Sequence, residues 1–243
     1  MKIVKSKILS EQKNLIFSFS TKYSEETQAP YYFNMSYSVG DNPNRVTKNR
    51  EKFYSELGLS SQEIAYQKQI HSDKVTVVTS AGFKNESDAL ITNVKNLGLA
   101  ISSADCVAVF LYDKKGKVIA GVHSGWRGTE KKILIKTLGL LQQKFNSKPE
   151  NIIAYISPSI SQKNYEVDLE VAEKFDGKYW KPIGNKYLLD IAEANYDMLL
   201  YFGIPKVNIE KSDLCSYETD YLHSYRRDGK ISGRAFGVIA MKE

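Results

Sequence analysis

The feature that most constrains this chain is a pair of short apolar runs, residues 107–112 and 118–122, separated by Lys114-Lys115-Gly116-Lys117. β-Branched and aromatic runs divided by a Gly-containing turn specify a β-hairpin. Cys106 stands at the start of the first strand and His123 at the end of the second. If Asp113 pairs with Gly116, Cys106 faces His123 directly, with Cβ atoms about 5 Å apart. If the turn centres on Lys115-Gly116, Cys106 pairs with Gly125 and the two side chains still share a face. A three-residue loop with a bulge would break that parity. A thiol and an imidazole at such range form half of a metal site or a Cys/His catalytic pair. The plainer alternative is a small buried thiol beside a histidine that ends a strand.

Around this hairpin the chain alternates strand and helix signals. Residues 14–20 read as a strand. Gly40, Asp41, Asn42 and Pro43 turn the chain into a helix over 44–57 that stops at Gly58. Asn49 and Arg50 lie on that helix, where spacing alone places Arg50 on a solvated face. Residues 64–71 and 75–79 read as strands joined at 72–74, which puts His71 at a strand end beside a turn. Such positions commonly carry function, although a single histidine there is more often structural. Residues 88–92 form a short strand that opens on an acid. Gly125-Trp126-Arg127-Gly128-Thr129 reads as a turn into a helix over 130–145; strand end, glycines, Arg127 and helix start together make an anion cradle, unless the glycines serve only to reverse the chain.

Further on, residues 151–157 are a strand stopped by Pro158, and 168–175 and 189–202 are helical. Residues 224–229 form a charged turn, and 234–241 the final strand. No repeat or low-complexity segment interrupts the series. Interleaved strands and helices predict one α/β or α+β domain over residues 1–243 with mixed β-sheets.

Composition removes several classes of function. With 243 residues, 42% of them hydrophobic, the chain can bury a large core. No segment approaches the ~18 apolar residues of a membrane span, and the first residues lack a signal-peptide core. Two cysteines, Cys106 and Cys215, argue against a disulfide scaffold and for a reducing cytoplasm. The net charge of +6 favours anionic ligands in general, but its 34 basic residues are spread without the clusters of a nucleic-acid footprint, which is compatible with a phosphate-bearing substrate or with nothing specific. The chain has three histidines, His71, His123 and His223. If His71 joins Cys106 and His123, they supply three ligands and leave a fourth position open, as in a catalytic zinc site. The same residues would equally serve a metal-free Cys106 nucleophile with a histidine base. Cys215 and His223 read as structural.

Several segments together resemble one family: Gln69-Ile70-His71-Ser72-Asp73-Lys74-Val75, Ala104-Asp105-Cys106 and His123-Ser124-Gly125-Trp126-Arg127-Gly128-Thr129. Val39-Gly40-Asp41 with Asn49-Arg50, Asp88-Ala89-Leu90-Ile91-Thr92, Tyr165-Glu166-Val167 and Ser224-Tyr225-Arg226-Arg227-Asp228-Gly229 follow in the same order. The family is the bacterial polyphenol oxidase or laccase-domain family of the YfiH/YlmD type, also called the purine nucleoside phosphorylase family. The resemblance implies mixed β-sheets packed face to face with helices outside. It implies zinc at His71, Cys106 and His123, with Arg50 in the active site and Asn34 in a substrate motif. The implied activity is phosphorolysis of adenosine, inosine and methylthioadenosine, with adenosine deamination besides; Arg50 and Arg127 would do the oxyanion work. A multicopper laccase would need more than three histidines, although thiolate plus imidazole also suits a single copper. The chain departs from the family pattern in the loop 23–26, at Val107 and at Ser157, which bears on substrate preference and leaves the ligand residues intact.

Overall fold

Alternation along residues 107–113 sends Val107, Val109 and Leu111 to one side and Ala108, Phe110 and Tyr112 to the other, and both sides are buried. A strand buried on both faces needs a layer against each. The rest of the chain supplies them. The computed structural model describes residues 1–24 and 27–243, so part of the divergent loop at 23–26 lies outside the described residues.

The strands in chain order are β1 (Ile3–Val4), β2 (Leu15–Ser20), β3 (Ile64–Lys68), β4 (Val75–Val77) and β5 (Gly82–Glu86). Next come β6 (Ala89–Thr92), β7 (Gly98–Ser103), β8 (Val107–Asp113), β9 (Val118–Ser124) and β10 (Ile152–Ile156). Last are β11 (Glu166–Val167), β12 (Trp180–Ile183), β13 (Lys186–Leu189), β14 (Ile209–Lys211) and β15 (Ala235–Met241). The helices are α1 (Lys7–Ser10), α2 (Pro43–Glu56), α3 (Trp126–Glu130), α4 (Ile133–Phe145), α5 (Leu169–Ala172), α6 (Ile191–Tyr201) and α7 (Tyr225–Asp228). None is long and apolar enough to cross a membrane.

One mixed sheet has the order β1-β2-β15-β7-β3-β5, a second β14-β10-β8-β9-β6-β4, and a small third β11-β13-β12. The two large sheets meet face to face through Phe17, Leu99 and Ile239 on one side and Leu90, Phe110 and Tyr155 on the other. The Phe17 ring lies 4.8 Å from Phe110 and 5.0 Å from Tyr155, in tilted and edge contacts. A side chain at Gly237 would collide with the Phe110 ring, so the sheets approach this closely only over a glycine. Outside the second sheet, α4 and α6 bury Leu134, Leu138, Leu141 and Leu199; each such leucine contributes about 2 kcal/mol by leaving water. Outside the first, α2 lays Phe53 and Tyr54 on Ile64, Ala100 and Val238. The layers therefore run helix, sheet, sheet, helix, as the family resemblance implied.

Local chemistry explains the element ends. Asn42 caps α2, its side chain accepting from the Asn44 N–H with Pro43 in the first turn, and Gly58 (φ 65°) follows the end. The hairpin adopts the second of its two registers: Asp113 pairs with Val118, so Ala108 faces His123. The segment 125–129 is not an open turn. It forms α3, and Lys132 in the left-handed region (φ 58°) separates it from α4, which starts at Ile133 rather than 130. The helix expected over 168–175 contracts to Leu169–Ala172, and α6 begins at Ile191 because Asp190 caps it by accepting from the Glu193 N–H. No strand is expected from the sequence at β1, β5, β7 or β11 to β14.

Candidate metal centre and its cavity

His71 follows β3 and opens the loop to β4. Its backbone is left-handed (φ 58°), a conformation that costs a non-glycine residue energy and persists only where neighbours impose it. Asp88 imposes it. This fully buried carboxylate, just before β6, accepts the backbone N–H groups of Ile70 (3.2 Å), His71 (3.0 Å) and Ser72 (2.7 Å), together with the Ser72 hydroxyl (2.7 Å). Asp88 also lies across from His123 at the β6–β9 ladder. The His123 N–H donates to the Asp88 carbonyl at 2.7 Å, and Nδ1 of His123 lies 2.9 Å from Asp88 Oδ1. Burial pushes the Asp88 carboxyl up, but the hydrogen bonds from His123 and Ser72 outweigh it and hold the group below its ordinary range. An ionised Asp88 fixes the proton of His123 on Nδ1 and leaves Nε2 free as a ligand, an arrangement common around metal-bound histidines.

Cys106 arrives by a second strained residue. Asp105 is left-handed (φ 84°), and its carboxylate accepts from the Ser216 hydroxyl and the Arg226 N–H, both at 2.6 Å. Asp105 thus points away from Cys106 and ties its loop to the segment after β14. Cys106 Sγ then lies 3.9 Å from His71 Nε2, and the His71 and His123 rings meet edge-on at 4.8 Å. The register explains the spacing: Gly125 falls opposite Cys106, and a Cβ there would sit 2.9 Å from Sγ and 3.1 Å from the His71 ring. The ligand atoms of His71, Cys106 and His123 lie within 4.8 Å of one another. Tetrahedral zinc holds thiolate and imidazole donors about 3.5 Å apart, so the donor set fits a metal with little movement. His71 is exposed, Cys106 half-buried and His123 buried. Burial disfavours charge on both Cys106 and His123, yet mutual attraction and the Asp88 hydrogen bond prevail: the thiol is lowered to about 6 and the imidazole raised to about 9.

The three residues stand at one wall of a cavity of about 440 Å³. Arg50 lines another part of it, and the structure does not leave it on a solvated face. It is 7% exposed, its Nε donates to the Met35 carbonyl at 2.7 Å, and its guanidinium stacks on Tyr37, Tyr66 and Phe236 at 4.2 to 4.7 Å. Gln69, also in the lining, is held by exchanging two hydrogen bonds with the Ser102 backbone, at 2.7 and 2.8 Å. Arg234, which the sequence did not single out, also lines the cavity.

Two expected site residues sit elsewhere. Asn34 is fully buried behind the cavity, its amide bound to Asp41 and to the backbone of Ser36 and Arg234. Arg127 is exposed on α3, stacked on Trp126 at 4.2 Å, and does not line the cavity. Cys215 accepts from the Ser161 N–H and the Asn164 amide, and His223 is buried against the Phe33 carbonyl.

The sequence matches, over residues 16–242, the family model described as multi-copper polyphenol oxidoreductase laccase. The chain belongs to this laccase-like family. Among its relatives, a purine nucleoside phosphorylase of Corynebacterium glutamicum is 35% identical over 230 residues, 91% of this chain and 92% of that protein. The purine nucleoside phosphorylase YlmD of Bacillus subtilis is 32% identical over 250 residues, 95% and 90% of the two chains. The crystal structure of YlmD from Geobacillus stearothermophilus superposes with a TM-score of 0.91 at 27% identity, covering 98% of this chain and 94% of that one. A Bacillus licheniformis protein, YfiH, gives 0.90 at 30% identity, covering 94% and 93%. For this laccase-like chain the multicopper label meets an arithmetic limit, because three histidines cannot ligate several coppers.

Proposed function

We propose that this chain is a zinc-dependent purine nucleoside phosphorylase acting on adenosine, inosine and methylthioadenosine, with adenosine deamination as a side activity. The carrying observation is one cavity that joins the His71, Cys106 and His123 donor set to the Arg50 guanidinium. The names of the relatives at 32–35% identity support the reaction class.

Phosphorolysis joins a phosphate oxygen to the ribose anomeric carbon as the bond to the purine nitrogen breaks, giving ribose 1-phosphate and free base. The enzyme must hold the phosphate against that carbon and offset its charge. Arg50 suits the task, since its rings and Nε contact fix the side chain while Nη1 and Nη2 make no hydrogen bond among the described residues. Asp88 orients His123, and Gly125 leaves room for the ligand atoms. A zinc ion held by His71, Cys106 and His123 would supply Lewis acidity toward the purine or a water near its C6; copper also suits the donor set.

The lowered Cys106 thiol favours a second reading, a metal-free cysteine hydrolase with a histidine base. One experiment separates the two: elemental analysis of the isolated protein alongside phosphate-dependent base release from the three nucleosides, repeated on His71→Ala and Cys106→Ala. Stoichiometric zinc and base release, both lost in the variants, are the expected result. A metal-free wild type whose Cys106 alkylates rapidly without chelator would promote the hydrolase. Zinc without base release would retain the metal centre and reject these substrates.

A further inference from the structure

The cavity has a charge balance that Arg50 alone does not explain. Its lining carries the cationic side chains Arg50, Lys68 and Arg234 and no carboxylate. Lys68 is answered by Glu86 at 2.9 Å. Neither Arg50 nor Arg234 has a carboxylate within ion-pair distance among the described residues. Two guanidinium groups that share one cavity without a carboxylate ion-pair partner attract an anion, although the Cys106 thiol in the lining offers Arg234 some negative charge.

Arg234 is also held in place. Nη1 donates to the carbonyls of Ser232 (2.7 Å) and Gly233 (2.9 Å), and the guanidinium lies 5.3 Å from the Tyr225 ring centroid. Nε and Nη2 make no hydrogen bond within the described protein. Both arginines are fastened to Met35, and Arg234 to Asn34 as well. Arg50 Nε donates to the Met35 carbonyl, the Met35 N–H donates to the Arg234 carbonyl at 2.9 Å, and the Arg234 N–H donates to Asn34 Oδ1 at 2.9 Å. The Asn49 amide completes the frame by donating to the Asn34 carbonyl at 2.9 Å. Asn34 and Met35 are both fully buried. This connection makes Asn34-Met35 the joint between α2, which carries Arg50, and the approach to β15, which carries Arg234.

We infer that Arg234 is the second arm of an oxyanion clamp, gripping a tetrahedral phosphate group jointly with Arg50 inside the metal cavity. The guanidinium fork matches phosphate oxygens as a lysine cannot. The inference rests on the phosphorylase reading for its preferred ligand, free inorganic phosphate; a phosphate ester on a nucleoside would present the same chemistry.

The test is calorimetric titration of inorganic phosphate, then AMP, then adenosine into the protein as isolated, on wild type, Arg234→Ala, Arg234→Lys and Lys230→Ala. Lys230 is exposed and outside the cavity and controls for lost net charge. Phosphate binding should weaken at least about tenfold in Arg234→Ala, the scale of a lost hydrogen bond to a charged group. It should weaken less in Arg234→Lys and stay unchanged in Lys230→Ala, while adenosine affinity and metal content hold in all four. If Arg234→Ala fails to fold by thermal melt, Arg234→Lys carries the comparison. Wild-type phosphate affinity in folded Arg234 variants would overturn the clamp, as would a wild type that binds neither phosphate nor AMP. Arg234-dependent binding of AMP alone would keep the clamp with an esterified phosphate and reject phosphorolysis. Arg234-dependent phosphate binding without base release would likewise reject only the phosphorylase reading.

Discussion

Asp88 Oδ1 accepts both the ring N–H of His123, at 2.9 Å, and the backbone N–H of His71, at 3.0 Å. One carboxylate therefore aims two of the three candidate ligands, one through its imidazole and the other through its main chain. Asp88→Asn keeps the size but turns an NH₂ group toward donors that need an acceptor. Metal affinity should fall about 10- to 100-fold, the usual cost of losing such a partner, and the melting temperature should fall with it. Competition with a chromogenic chelator measures the first; affinity equal to wild type would show that the histidines are aimed without Asp88.

Gly125 tests the site in the opposite way, by adding matter. Its backbone (φ −64°, ψ 172°) accepts any residue, so Gly125→Ala changes only the space beside Cys106 Sγ and the His71 ring. We expect zinc content well below stoichiometric and base release at least about tenfold lower, with the apoprotein destabilised by about 1–3 kcal/mol. Full metal occupancy in this variant, by elemental analysis, would mean that the donors converge differently once loaded.

Arg50→Lys should leave metal content unchanged and raise the KM for phosphate about tenfold or more, because an ammonium on a flexible stem replaces a stacked fork. The KM for nucleoside should change little. Steady-state kinetics with each substrate varied in turn make the distinction, and an effect confined to the nucleoside KM would move Arg50 away from phosphate.

His223 gives a pH prediction at a residue outside the His71, Cys106 and His123 trio. Burial lowers its imidazole to about 3, so it is neutral in the native state, while the unfolded chain titrates near 6.5. Between those values the unfolded state binds the extra proton. The contribution of neutral His223 is therefore complete above pH 6.5 and is lost on acidification, by up to about 1.4 kcal/mol per pH unit. Urea melts of the chelated protein from pH 7.5 to 4.5 should show that slope, and His223→Gln should flatten it. Parallel pH profiles for the two proteins would assign acid lability to other groups.

The legible parts of this chain were those whose signals are local. The hairpin, α2 with its Asn42 and Pro43 start, and β15 announce themselves within a few residues. The trio His71, Cys106 and His123 was reachable from the hairpin together with a strand-end histidine, and the structure brings it together. Asp88 reads from the sequence only as an acid opening a strand, because the five hydrogen bonds to its carboxylate come from residues 16 to 35 positions away. Arg234 is brought to the cavity by the placing of β15 between β2 and β7, which no spacing rule reveals. The Gly125-Thr129 segment was misread for a physical reason. Gly128 reads as a turn former, yet it serves close packing, since a Cβ there would meet the carbonyls of His123 and Ser72 at 3.4 Å. β7 escaped notice because a buried central strand shows no polar alternation.

The place of β15 also governs when the protein can work during its own synthesis. The second sheet draws on residues 75–211 and can assemble while translation continues, but the first is split between β2 and β7 until β15 arrives. Arg234 and Phe236, which wall the cavity, come with that same strand. A nascent chain on the ribosome would thus carry the metal donors for some seconds without the cavity, at translation rates of about 5–20 residues per second. The cavity is complete only when β15 takes its place between β2 and β7.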